Sequence, residues 1–355
     1  MTTPELIGRH GNLNRRKNRS SAVRKKSAEE KCGRAVRQAG SERTKMFFAL
    51  TVCFWLLAGL TWLAPTVASD GAVPSKDVAF RLAGGQNPLI LVPVYVEGKG
   101  PYEFILDTGA YRCLLSPEIS SSIGIQPDSQ QQATGIGGTI KISSARVSSL
   151  TVGNARQENI EVAITGELSR LGEAVQTKVD GVLGSNFLKD FRVALDYGRG
   201  VVRLDRSSVD PSSERCVRSV TSVPFKLATP EKPLISLPVF VNGRGPFQFF
   251  LDTGASRTTL SFALARKLRI VAIGNRSGTG AGGRIRMLSA TLDSLAVGKA
   301  SISDAPVSVG DFLGNFDSVI DTKFYGIIGN DFLSRFEVVI DYPRGALDLK
   351  PLVTR

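Results

Sequence analysis

The chain has 355 residues, a formal net charge of +13, and 42% hydrophobic against 22% charged residues, which suits one or two domains of ordinary size with real apolar cores. The charge is uneven: residues 1–45 hold 13 Lys/Arg against 4 Asp/Glu, whereas residues 46–355 hold 32 against 28, so the body is nearly balanced and no nucleic-acid partner is expected. The only histidine is His10, in the basic leader, which excludes a Ser–His–Asp triad, a Cys–His pair or a His-ligated zinc from the body.

Residues 1–45 read as a disordered basic leader with a topogenic role. The run Met46–Ala64 follows without a charge or a strong breaker and holds both tryptophans, Trp55 and Trp62. Its length is close to the roughly 20 residues that span a bilayer as a helix. The basic residues ahead of it place the N-terminus in the cytoplasm and export the rest of the chain, into the periplasm in a bacterium. A cleaved signal peptide ending at Thr66-Val67-Ala68 competes with this reading, but its apolar region is normally about 7–15 residues. The length favours an uncleaved signal anchor over residues 46–68. Beyond it lie Cys113 and Cys216, which either pair in an oxidising compartment or are unrelated thiols.

The body repeats itself. VEGKGPYEFILDTGA at 96–110 recurs as VNGRGPFQFFLDTGA at 241–255, and TGIGG at 134–138 as TGAGG at 279–283. GVLGSNFLKDF at 181–191 recurs as GIIGNDFLSRF at 326–336, and pairing 80–206 with 225–351 at the constant offset of 145 gives 49 identities in 127 positions. Two copies of one unit are expected, 76–206 and 223–355, joined by a Ser-rich linker at 207–222. Each copy reads as β. Leu89–Val96 leads through a Gly-Lys-Gly-Pro turn to the apolar strand Tyr102–Leu106, and Leu234–Val241 leads likewise to Phe247–Leu251. Short helices are expected near Ser116–Ile123 and Ser261–Leu268 and after the GVLG and GIIG segments. The fold class is all-β, two tandem lobes with few helices.

The repeat also filters the acidic residues. Only Asp107 with Asp252, and Asp196 with Asp341, occupy equivalent positions. The second pair ends a strand before a turn, where Asp commonly accepts from backbone amides. The first opens Asp-Thr-Gly-Ala after an apolar strand, and here the sequence resembles the retropepsin-like (clan AA) aspartic proteases. The resemblance spans both repeats and rests on Ile105–Ala110, Phe250–Ala255, and the later Gly181-Val182-Leu183-Gly184 and Gly326-Ile327-Ile328-Gly329. Ala after Asp-Thr-Gly is more usual in retropepsins; two lobes in one chain are more usual in pepsins.

That resemblance implies a bilobal fold and an aspartic endopeptidase acting on a peptide or protein substrate. Asp107 and Asp252 would form the dyad, with no cofactor or metal required. Thr108 and Thr253 would cross-link the two loops, and Gly109 and Gly254 would permit the tight turn. The glycine-rich Gly135, Ile136, Gly137, Gly138 and Gly280, Ala281, Gly282, Gly283 would be flaps over the substrate; neither carries the flap tyrosine of pepsins. The active unit would be an intrachain pseudo-dimer. A non-catalytic peptide-binding or scaffolding protein on the same fold is the alternative.

Overall fold

A computed structural model describes residues 77–85, 88–206, 221–311 and 323–352. The expectations for the basic leader, the apolar run 46–68 and most of the linker therefore lie outside the described residues. Among the described residues no helix is long and apolar enough to cross a membrane.

Each repeat folds into an eight-stranded sheet. In the first, the strands are β2 (Arg81–Ala83), β3 (Leu89–Val96), β4 (Lys99–Leu106), β5 (Cys113–Leu115), β6 (Gln130–Gly135), β7 (Gly138–Val152), β8 (Ala155–Ile164) and β9 (Gly181–Leu183). Their order is β2-β3-β4-β9-β5-β8-β7-β6, and β3 also pairs with β7, so the sheet curls back on itself. In the second repeat, β13 (Lys226–Leu227), β14 (Ile235–Val241), β15 (Arg244–Leu251), β16 (Thr259–Ser261), β17 (Ile273–Gly280), β18 (Gly283–Val297), β19 (Ala300–Gly310) and β20 (Gly326–Ile328) reproduce that order position by position. The apolar positions that recur at the 145-residue offset build the cores: Val94, Phe104 and Leu106 in one lobe, and Val239, Phe249 and Leu251 in the other, are all fully buried.

The hairpin turns are not where the sequence suggested. The turning residues are Glu97-Gly98 and Asn242-Gly243, all at positive φ, as a tight two-residue hairpin requires. The Gly-Pro pairs lie inside β4 and β15 instead. The expected helices are present as α1 (Pro117–Ile123), α3 (Ser185–Leu188), α4 (Phe262–Leu268) and α5 (Asn330–Leu333). Ser116 caps α1 by accepting from the Ile119 amide at 3.3 Å, and Ser261 caps α4 through the Leu264 amide at 3.2 Å. An unexpected helix, α2 (Leu168–Val175), appears in the first lobe.

The lobes are joined more intimately than two beads on a linker. A third sheet of six strands has the order β1-β11-β10-β21-β22-β12. The first repeat supplies β1 (Asp77–Ala79), β10 (Arg192–Asp196) and β11 (Val201–Asp205); the second supplies β12 (Thr221–Pro224), β21 (Phe336–Asp341) and β22 (Ala346–Pro351). Thr221 and Ser222, read from the sequence as linker, are thus strand. At the seam β10 and β21 run antiparallel, with Val193 opposite Ile340, Ala194 opposite Val339 and Leu195 opposite Val338. Ala194 and Val339 are repeat equivalents, so the pseudo-twofold axis passes through this pair. Asp196 and Asp341 have the structural role expected, accepting from the Arg199 amide at 2.9 Å and the Arg344 amide at 3.0 Å.

Ile340 is fully buried at the seam. Its replacement by Ala should cost about 2–5 kcal/mol, and urea denaturation should show both lobes unfolding in one transition. Two separated transitions would show that the shared sheet does not couple them.

Candidate active site

The loop after β4 and its twin after β15 are held by a third strand. β9 lies parallel to β4, with Phe104, Ile105 and Leu106 opposite Gly181, Val182 and Leu183; β20 lies likewise against β15. The Asp107 amide then donates to Leu183 O at 3.1 Å, and the Asp252 amide to Ile328 O at 3.0 Å. Gly181 and Gly326 are required for space, since a Cβ at either would strike the ring of Phe104 or Phe249. This is what the glycines of GVLG and GIIG are for.

The two loops meet by exchanging threonines. Thr108 Oγ1 donates to Leu251 O and Thr253 Oγ1 to Leu106 O, both at 2.8 Å. Each hydroxyl in turn accepts from the opposite threonine amide at 3.1 Å. Both threonines are fully buried. The cross-link implied by the resemblance is therefore present.

That exchange brings the Asp107 and Asp252 carboxyls together, each against the glycine of the opposite Asp-Thr-Gly. Asp107 Oδ1 accepts from the amides of Gly109 and Ala110 at 2.8 and 2.9 Å, and Asp252 Oδ1 from the Gly254 amide at 2.8 Å. Gly109 and Gly254 are not at positive φ, so the tight turn is not the reason for them. A methyl at Gly109 would fall on the Asp252 carboxyl, and one at Gly254 on that of Asp107. Glycine is needed for the carboxyls to approach. Burial raises both carboxyl pKa values. Asp252 is raised well above the usual carboxylate range, by burial first and by the neighbouring Asp107 charge second. Both carboxyls are driven in the same direction, so the pair retains a proton in common above the pH at which a free carboxyl would lose it.

Further supports were not legible in the sequence. Tyr197, from the seam sheet, donates to Asn330 Oδ1 at 2.7 Å, and Asn330 Nδ2 donates to Thr253 O at 2.7 Å. At the twin position Ser185 Oγ donates to Thr108 O at 2.9 Å. The threonine carbonyl of each Asp-Thr-Gly loop is thus held by the residue after the Gly-φ-φ-Gly segment, and Asn330 is itself braced from across the seam. Cys113 takes the place of Thr258: the Gly184 amide donates to Cys113 Sγ at 3.3 Å as the Gly329 amide does to Thr258 Oγ1 at 3.2 Å. Cys113 is buried and free, and burial pushes its thiol up to about 12; Cys216 lies outside the described residues.

The glycine-rich segments are hairpin tips, β6–β7 and β17–β18. They meet each other, the Gly282 amide donating to Ile136 O at 2.9 Å. Their apolar seats are crossed: Ile136 packs with Leu234, Phe250 and Ile327 of the second lobe, and Ala281 with Ile140, Ile142 and Ala163 of the first. From α2, Arg170 also donates to Ala281 O at 3.1 Å. Gly135, Ile136, Gly280 and Ala281, with both dyad carboxyls, line one cleft of about 400 Å³.

A duplicated β fold whose two halves pool one carboxyl each beneath paired hairpins is the architecture of an aspartic protease. A family model described as aspartyl protease matches residues 92–187 and again 237–332, and the chain belongs to this retropepsin-like family. Among curated proteins none matches the chain.

Two measurements follow from this geometry. Folding raises the Asp252 pKa, so between the unfolded and folded values unfolding releases a proton and is favoured as pH rises. Asp252→Asn removes that penalty, and its thermal midpoint should gain on the wild type as pH is raised from 4 to 8; parallel curves would mean the pair is not strained. Tyr197→Phe leaves Asn330 Oδ1 without its donor and should cost about 1–3 kcal/mol of stability, read as a lowered thermal midpoint.

Proposed function

We propose that this protein is a membrane-anchored, extracytoplasmic aspartic endopeptidase. The observation that carries the reading is the juxtaposed carboxyl pair of Asp107 and Asp252, one from each lobe and both lining the cleft, with pKa values raised by burial. Two carboxylates about 3 Å apart cannot both ionise cheaply, so the pair keeps one proton across the working range. The ionised carboxyl of the pair takes a proton from a bound water, the water oxygen attacks the scissile carbonyl, and the protonated carboxyl hydrogen-bonds the oxygen on which charge develops. Collapse of the tetrahedral intermediate then expels the amine, which receives a proton from the dyad.

An extended peptide would lie between the floor and the paired hairpins, adding its backbone to theirs. Closed hairpins would keep bulk water from the reacting centre. Both Asp-Thr-Gly-Ala motifs are intact and make the full set of cross-lobe bonds, which supports catalysis over a scaffolding role on the same fold. The membrane assignment rests on the uncharged run 46–64 and the basic residues before it.

Because each lobe gives one carboxyl, Asp107→Asn and Asp252→Asn should each lower kcat/KM by at least about a thousandfold. Retention of about half the activity by both single variants, with loss only in the double variant, would indicate like-lobe sites formed between chains. Turnover should follow a bell-shaped pH profile and survive chelators and serine- or cysteine-directed reagents. For topology, an alkaline phosphatase fusion after Asp70 should be active and remain with membranes; a soluble product beginning near Ser69 would establish cleavage instead.

A further inference from the structure

The internal repeat supplies a control for every cleft residue: its twin 145 positions away does the same job in the other lobe. On the cleft floor of the first lobe, Leu114 and Ala163 stand side by side in the parallel β5–β8 pairing. They join Ile140 and Ile142 of the hairpin to make an apolar wall. Their twins, side by side in the parallel β16–β19 pairing and also lining the cleft, are Thr259 and Ser308. One half-site is floored by methyls, the other by hydroxyls.

The hairpins differ in the same sense. Arg276 of β17 lies opposite Met287 and lines the cleft; its twin Gln131, opposite Ile142, does not line it. Arg276 is exposed, and its side chain makes no hydrogen bond or ion pair with any of the described residues. Of the other cleft cations, Arg112 is already paired with Glu161 at 3.1 Å, and its twin Arg257 is engaged as well, acting electrostatically on Asp331. Among the described residues, the only carboxylates lining the cleft are those of the dyad. Among the described residues the second half-site therefore offers the Arg276 guanidinium without a charged partner, in a lining that also holds Ser308 and Thr259, the latter donating its hydroxyl to Arg257 O at 3.2 Å; such a guanidinium is suited to a carboxylate.

We propose that the cleft is polarised, taking a bulky apolar side chain in the first-lobe half-site and an Asp or Glu side chain in the second-lobe half-site. Arg276 determines that second preference. The proposal rests on the endopeptidase reading, since it assigns the two half-sites to residues on either side of the scissile bond. An apolar side chain displaces water from the Leu114–Ala163 wall, whereas in the second half-site the same side chain would take water from the Arg276 guanidinium without offering it a partner. A carboxylate there gains a charged partner instead.

The test uses the purified full-length chain and a mixed peptide library, with cleavage sites read by mass spectrometry. Cut bonds should be flanked by a large aliphatic or aromatic residue on one side and by Asp or Glu on the other, the acid favoured over its amide by about tenfold or more. Arg276→Gln, which installs the residue of the first lobe, should erase the acidic preference. Arg276→Glu should turn it toward Lys or Arg, and neither should change the apolar preference on the other side. Equal cutting with apolar residues on both sides, or an acidic preference that survives Arg276→Glu, would overturn the proposal. Non-hydrolysable hydroxyethylene peptides, apolar–acidic against apolar–apolar, separate the two layers of the argument. If nothing is cut but the apolar–acidic ligand binds more tightly and loses its advantage in Arg276→Gln, proteolysis fails and the polarised cleft stands. If peptides are cut without that binding preference, the polarised cleft fails alone.

Discussion

Everything in this molecule depends on the exchange of Thr108 and Thr253 between lobes. Two carboxyls buried together repel when both are charged, and each is costly to desolvate. Left to themselves the loops carrying them would part. The reciprocal threonines fasten each loop to the last carbonyl of the opposite strand, Leu251 or Leu106, so separating the carboxyls would mean breaking four fully buried hydrogen bonds. Buried donors and acceptors left unpaired are more expensive than the bonds themselves are favourable, so the cross-link resists opening more strongly than its count suggests. The remaining scaffold keeps this contact in register: β9 and β20 behind the loops, the residues after the Gly-φ-φ-Gly segments beneath their carbonyls, and the six-stranded sheet across the seam.

Duplication within one chain lets the halves diverge while this contact stays symmetric. In a homodimer every substitution is made twice, and the two carboxyls remain equivalent until substrate arrives. Here Asn330 faces Ser185 across the pseudo-axis, Thr258 faces Cys113, and Thr259 and Ser308 face Leu114 and Ala163. Asn330 bridges from Tyr197 to the Thr253 carbonyl through a longer amide, while Ser185 holds the Thr108 carbonyl with a hydroxyl. The two loops thus have unequal surroundings, and Asp252 is the more deeply buried carboxyl. A cleft with two unlike halves becomes available from ordinary point changes.

The parts legible in the sequence were those set by short-range rules and doubled by the repeat. The Asp pair emerged because so few acidic positions survive translation by 145 residues. Helices α1 and α4 were readable because Ser116 and Ser261 precede short helical runs as caps. The turns were misplaced because Gly-Pro is a strong turn signal, whereas the positive φ angles fall on Glu97-Gly98 and Asn242-Gly243. Helix α2 was missed because Leu168–Val175 is short and contains Ser and Gly, and it is held by packing on Leu91, Ile105 and Val182 rather than by propensity. The seam sheet and the Tyr197–Asn330 bridge join residues more than a hundred positions apart, and no local pattern announces such a pairing. Gly109 and Gly254 were identified for the wrong reason: the constraint on them comes from the opposite lobe, which a reading of their own loop does not contain.

The hairpins show how the same asymmetry reaches the mouth of the site. For a peptide to enter, the tips must separate, which breaks the bond from the Gly282 amide to Ile136 O and lifts Ile136 and Ala281 from their crossed apolar seats. A peptide strand offers amides and carbonyls in return, so the polar part of that cost is recovered on binding. Among the described residues, the second-lobe hairpin carries a further restraint. Arg170 holds the Ala281 carbonyl from α2, where its own geometry is steadied by an ion pair with Glu167 at 2.8 Å. The bond from Arg170 is half-buried and contributes about 0.5–1.5 kcal/mol, so it resists the lifting of this hairpin without locking it down.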